Sequence, residues 1–111
     1  MLGRSLIASV PLIIMHKPDK HANDIIAELR TKYNLYVFDA SQVGFGFPDI
    51  VIPYNGFNWF IEIKTDKNYT LTKAQKVFHP KWHKNNGQLH IVFNAKQILD
   101  IIGYAPIITR E

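Results

Sequence analysis

The chain reads as an α/β domain in which a mixed sheet of about four strands is flanked by helices, in the order α-β-β-β-α-β-α. Three features predict it. Ala22, Ile25, Ile26, Leu29 and Tyr33 recur at the spacing of one helix face, with Asp24, Glu28, Arg30 and Lys32 between them. Ile50-Val51-Ile52, then Trp59, Phe60, Ile61 and Ile63, then Leu89 to Phe93 are short runs, apolar on both faces, of the kind that belongs in a sheet covered by helices. Asn55-Gly56 and Thr72-Lys73-Ala74-Gln75 supply turn and capping signals between the runs.

Residues 1–17 precede the first of these elements. Leu6 to Met15 is apolar but interrupted by Pro11 and too short to span a bilayer, and no small-residue cleavage site follows it, so neither a membrane partner nor leader cleavage is expected. The first helix follows Lys17-Pro18-Asp19. Leu35 to Phe38 is a short β-rich run, and Ser41 to Phe47, with Gly44 and Gly46, is a loop. Asn55-Gly56 favours a two-residue primed turn, so Tyr54 pairs with Phe57 and the flanking strands form a hairpin. The capping pattern at Thr72 starts a helix near Lys73 that runs to about Asn85, kinked or split at Pro80, with Gly87 just past its end. After Leu89 to Phe93, Asn94 caps a short helix through Ile102 to Gly103. With no repeat, low-complexity tract or linker, residues 1–111 form one domain, of which 1–17 are an N-terminal extension.

Composition narrows the chemistry. At 47% hydrophobic and 13% aromatic residues the chain can fold around a core. The absence of cysteine removes disulfides, thiolate metal sites and cysteine nucleophiles, and is compatible with the cytoplasm, the expected location. The net charge of +4 is uneven: Lys64, Lys67, Lys73, Lys76, Lys81, Lys84 and Lys96 have only Asp66 among them as an acid. Such a half suits a polyanion, although a solvated basic surface would look the same by charge alone.

Counting outward from the Asn55-Gly56 turn places Asp49 opposite Glu62, and like charges at that separation repel unless a cation compensates them. Lys64 shares the face of Glu62, because side chains alternate along a strand. Two carboxylates that leave open positions suit Mg²⁺ or Mn²⁺, which can polarise a phosphate and activate water, while a neighbouring ammonium stabilises the charge that builds on the phosphate. The plain structural alternative is an exposed i, i+2 ion pair of Glu62 with Lys64; their apolar neighbours argue against it, since unpaired buried charge costs several kcal/mol.

Pro48-Asp49, a hairpin and then Glu62-x-Lys64 resemble the PD-(D/E)XK nuclease superfamily. Gly46-Phe47-Pro48-Asp49-Ile50-Val51, Phe60-Ile61-Glu62-Ile63-Lys64-Thr65, Leu71-Thr72-x-x-Gln75 and Gly87 before the last strand are similar, in order and spacing, to its VRR-NUC branch, over roughly Ala22 to Phe93. That branch includes stand-alone virus and phage nucleases and nuclease domains of repair proteins. The resemblance implies a restriction-endonuclease-like sheet and a metal-dependent DNA endonuclease, directed to structures such as junctions or branches. Asp49, Glu62 and the Ile63 carbonyl would be ligands of Mg²⁺ or Mn²⁺, and Lys64 the assisting base-side residue. Gln75 would contact the metal-bound water or phosphate, or serve as the capping-box partner of Thr72, or both. Relatives carry a further acid on the first helix; the candidate here is Asp24.

Lys67, Lys73 and Lys76 are candidates for phosphate contact, the latter two at a helix N-terminus. Gly44 and Gly46 shape the loop and would let a DNA backbone approach. Phe78, Trp82 and Trp59 read as core rather than as base-stacking platforms. His79 and His83 have zinc-pair spacing, but Pro80 and the want of a third ligand argue against zinc. A homodimer presenting two sites is a further expectation. The chief alternative is a nucleic-acid-binding module of the same fold without turnover.

Overall fold

Asp19 accepts the Ala22 N–H at 3.1 Å and caps α1 (Lys20–Thr31) in the computed structural model, which describes residues 19 to 106. The Leu6 to Met15 stretch lies outside the described residues. After α1 come β1 (Phe38–Asp39), β2 (Ile50–Tyr54), β3 (Phe57–Ile63), α2 (Lys73–Lys84), β4 (His90–Val92) and α3 (Ala95–Ile102). This is the predicted element order, and the strands form one mixed sheet in the order β1-β2-β3-β4.

The hairpin takes the predicted register. Asn55 and Gly56 have φ of 52° and 80°, the paired positive values of the primed turn, and Tyr54 pairs with Phe57. From there the antiparallel ladder runs to Ile50 opposite Ile61. β3 pairs parallel with β4 on its other side, and β1 pairs antiparallel with only Ile50 and Val51 of β2.

Alternation along β2 and β3 sorts the side chains into two faces. Ile50, Ile52, Ile61 and Ile63 pack with Ile25, Ile26 and Leu29 of α1 and with Ile98 and Ile102 of α3 in a single buried cluster. The opposite face carries Phe60 and Glu62 toward α2. There Phe60 meets Trp82 with ring centroids 5.2 Å apart, and Phe47 lies 5.9 Å from Phe60 and 5.8 Å from Phe78. The domain is thus a sheet with α1 and α3 on one side and α2 on the other.

Two elements differ from the sequence reading. The run Leu35 to Phe38 contributes little strand: Leu35 and Val37 are buried in the core, and β-pairing begins only at Phe38. Helix α2 passes Pro80 without a break. Both Pro80 and Lys76 are exposed, so the carbonyl deprived of its i+4 N–H has water in reach. The last helix is as read, with the Asn94 side chain accepting the Gln97 N–H and Gly103 closing it in the left-handed conformation.

Ile61 has no exposure and sits at the centre of the sheet. Ile61→Ala should lower unfolding free energy by about 2–5 kcal/mol in urea titration, through lost burial and a residual cavity.

Candidate active site

Where β2 begins and β3 ends, the ladder stops one pair short of Asp49 and Glu62, leaving the two carboxylates opposite each other at its margin. Pro48, fully buried, and the Ala40 N–H, which donates to the Asp49 carbonyl at 2.7 Å, fix the backbone there. The Asp49 side chain turns to the neighbouring strand, where Oδ2 accepts the Ile63 N–H at 2.8 Å. Ile63 therefore joins the site through its amide N–H.

Glu62 is 4% exposed. Its Oε2 accepts from Gln75 Nε2 at 2.7 Å and lies 3.4 Å from Lys64 Nζ, while Oε1 is buried with no hydrogen-bond partner. Lys64 extends the parallel pairing by one bond, its N–H donating to the Val92 carbonyl at 2.9 Å. Its ammonium donates to Gln75 Oε1 at 3.0 Å and to the Thr70 carbonyl at 3.3 Å. Glu62 and Lys64 are not an exposed surface pair: their side chains are 5% and 14% accessible.

Gln75 ties this cluster to a helix end. Thr72 Oγ1 accepts the Gln75 N–H at 3.1 Å, and Gln75 Oε1 accepts the Thr72 N–H at 2.9 Å, completing the capping box. The same amide oxygen receives Lys64 and the amide nitrogen serves Glu62, so the capping-box role read for Gln75 from the sequence is present and the side chain also joins the charge cluster. His79, one turn further along α2, is buried with Nε2 unpartnered. Burial first, then the charges of His83 and Lys64, hold its imidazole below the ordinary range.

The electrostatics follow from burial. Glu62 is pushed up to about 7, chiefly by loss of water and next by the Asp49 charge, with Lys64 and Gln75 opposing. Asp49 is also raised by burial, against the pull of the Ile63 N–H, and the charge of Asp19 adds to the rise. Asp19 and Asp49 line one cavity of about 360 Å³, together with Gly46, Thr72 and Gln75.

Asp24 is not part of this arrangement. Its side chain is 66% exposed and pairs with Lys20 at 2.8 Å. Five residues separate it from Asp19, a rotation of about 140° around the helix, which carries it off the face that meets the site. The acid that α1 brings is its N-cap, Asp19, which the sequence reading missed. An Asp before the first periodic apolar residue is a standard start signal and was the available clue.

Lys67, Lys73 and Lys76 are exposed, and none forms an ion pair with a described residue. Gly44 and Gly46 both have φ of 81°. A Cβ on Gly46 would come within 2.6 Å of the Ala74 carbonyl, so this glycine seats the loop on α2 and leaves no space for a DNA backbone; around Gly44 there is open space.

Among the described residues no three His, Cys, Asp or Glu side chains gather closely enough to hold a metal ion. The donors that are present still suit a hard divalent cation. Glu62 Oε1 is a buried oxygen without a partner, and it neighbours a second carboxylate whose charge already disfavours its ionisation. A cation held by two carboxylates and otherwise by water is the usual mode of Mg²⁺.

The chain matches no protein-family model, no curated protein and no solved structure with which it was compared. Among the described residues no helix is long and apolar enough to cross a membrane.

A raised carboxyl binds more protons in the folded than in the unfolded chain, so Glu62 stabilises the metal-free fold fully below its ordinary value of 4.5, and that contribution is lost as pH rises through about 7. Thermal midpoints in a chelator should therefore fall for the natural chain, relative to Glu62→Gln, between pH 4.5 and pH 7. A constant difference across this window contradicts the burial assigned to Glu62.

Proposed function

We propose that the chain is a metal-dependent nuclease that hydrolyses DNA phosphodiester bonds, with Mg²⁺ or Mn²⁺ held by Asp49 and Glu62. The observation that carries this reading is a buried Glu62 with Oε1 unpartnered and Oε2 3.4 Å from the Lys64 ammonium, close enough to Asp49 for that second carboxylate to oppose its ionisation. A fold seldom keeps such a cluster for stability, because replacing buried ions with apolar side chains is often neutral or favourable. The motif resemblance to VRR-NUC nucleases in the PD-(D/E)XK superfamily, given above, points the same way.

A divalent cation at the two carboxylates would polarise a phosphate oxygen and lower the pKa of a coordinated water. The residues of the chain supply the rest. Asp49 is oriented by the Ile63 N–H, and Glu62 by Gln75. Lys64 Nζ, steered by the Gln75 oxygen and the Thr70 carbonyl, presents positive charge where the phosphate gains negative charge. Asp19 contributes long-range negative charge to the cation site. Lys73 and Lys76, exposed at the start of α2, contact the phosphates that flank the scissile bond, with the helix N-terminus favouring the anion.

One observation favours a second reading, a DNA-binding module of this fold without turnover. The Lys64 ammonium is already engaged by Glu62, Gln75 and Thr70, as in a structural ion pair.

Purified protein should nick or cut DNA with Mg²⁺ or Mn²⁺ and stop in a chelator. Glu62→Gln and Lys64→Ala should each slow cleavage about 10²–10³-fold with an unchanged circular dichroism spectrum. Asp19→Ala should raise the metal concentration needed for half-maximal rate, whereas Asp24→Ala should leave it unchanged. Salt-sensitive DNA binding with no cleavage in Mn²⁺, and no divalent-ion heat in calorimetry that Asp49→Ala abolishes, establishes the second reading instead.

A further inference from the structure

Beside the carboxylate site lies a larger, mostly apolar groove of about 610 Å³. One wall is a stripe of α2, formed by Ala74, Val77, Phe78, Lys81 and Trp82 at i, i+3, i+4, i+7 and i+8; the other is Phe45 on the loop before Asp49. Phe45 and Ala74 also line the cavity that contains Asp49, so the two spaces adjoin. The stripe is unusual for a helix packed on a sheet. The buried positions of α2 are the polar Gln75 and His79, while Val77 remains 55% exposed.

Phe45 is held out by its backbone. Residues 44, 45 and 46 have φ of 81°, 58° and 81°, and the middle one is a bulky side chain in a region that non-glycine residues seldom occupy. The contact of Gly46 with the Ala74 carbonyl anchors this strained turn against α2. The result is a phenyl ring 88% exposed at the mouth of an aromatic groove, in a conformation that costs energy to maintain. Within the groove Phe78 and Trp82 stack on each other, centroids 5.1 Å apart and planes 21° apart, and Trp82 is fixed by donating Nε1–H to the Gln88 carbonyl at 2.8 Å.

The charge around the groove selects its occupant. Lys81 lines the groove, the same helix also carries Lys73, Lys76 and Lys84, and neither that helix nor the groove lining holds an Asp or Glu. An apolar peptide would gain nothing from that field. A flat aromatic group carried on a polyanionic chain gains from both the rings and the lysines, as in the stacking platforms of single-strand binders.

We propose that this groove binds an unpaired nucleobase of the DNA substrate, stacked against Phe45 and the α2 aromatic stripe, while the adjoining phosphates follow the lysines toward Asp49 and Glu62. The inference rests on the nucleic-acid reading above and names its substrate class: DNA with a single-stranded segment next to the scissile bond, as in flaps, loops or branches. Fully paired duplex keeps its bases stacked and leaves the groove empty.

The test compares a labelled oligothymidylate of about ten residues with an abasic strand of equal length, by fluorescence anisotropy in a chelator. Phe45→Ala, at an exposed position that the core does not need, should weaken the oligothymidylate about tenfold or more and leave the abasic strand unchanged, and Phe45→Tyr should restore binding. Lys81→Ala should weaken both strands equally. Equal loss on both strands in Phe45→Ala, or no loss on either, overturns the proposal. So does a shift from dimer to monomer in sedimentation with oligothymidylate affinity unchanged, which would make the groove a contact between copies of this chain. Because metal and cleavage are absent from the measurement, base-dependent binding in a chain that never cuts DNA refutes only the nuclease reading. Cleavage by a chain indifferent to Phe45 refutes only the groove.

Discussion

The Glu62 carboxylate has been withdrawn from water beside a second carboxylate, and much of the surrounding structure is arranged to tolerate it. β3 must be central, between β2 and β4, for this position to be buried at all. Asp49 needs the Ile63 N–H because the margin of the ladder gives it little water. Gln75 must stand in the first turn of α2, since only there does one amide meet Glu62, Lys64 and the Thr72 backbone together. Helix start and charge cluster are thus one construction, and a shift of α2 by a single residue would undo both.

Much of the fold was legible because its signals are local. Asn55-Gly56 sets the hairpin register without reference to anything distant, and the position of Asp49 against Glu62 follows by counting. Thr72 and Gln75, and Asn94 and Gly103, announce the helix ends that they cap. What was not legible depends on packing. Leu35 and Val37 are apolar enough for a strand, yet they are spent on the core and pair with nothing before Phe38. Pro80 removes one helical N–H, and whether the Lys76 carbonyl that it orphans is left to water depends on which side of α2 meets the sheet, which sequence alone does not reveal.

The site divides along the same line. Strand alternation and the hairpin register bring Asp49, Glu62 and Lys64 together, while capping spacing puts Gln75 at the start of α2 and the family resemblance alone points to it as a site residue. Position within a helix singles out Asp24, but the approach of that helix to the sheet decides which acid borders the cavity, and it is the end of α1 rather than its flank that does so. Gly46 likewise looked like a gap for a ligand and proved to be a gap for Ala74. Phe78 and Trp82 read as core; Trp82 does pack against Phe60 and Phe78 against Phe47, yet both also wall an open groove.

The short first strand leaves a mark on association. Among the described residues β1 pairs only with Ile50 and Val51, and no other strand pairs with the outer margin of β2. In a two-residue hairpin the pair next to the turn exchanges both hydrogen bonds, and the following pair, Pro53 with Asn58, directs its backbone groups away from the partner strand. At Pro53 the outward group that would recruit another chain has no hydrogen to give. Ring chemistry thereby guards the open flank of the sheet against edge-to-edge aggregation.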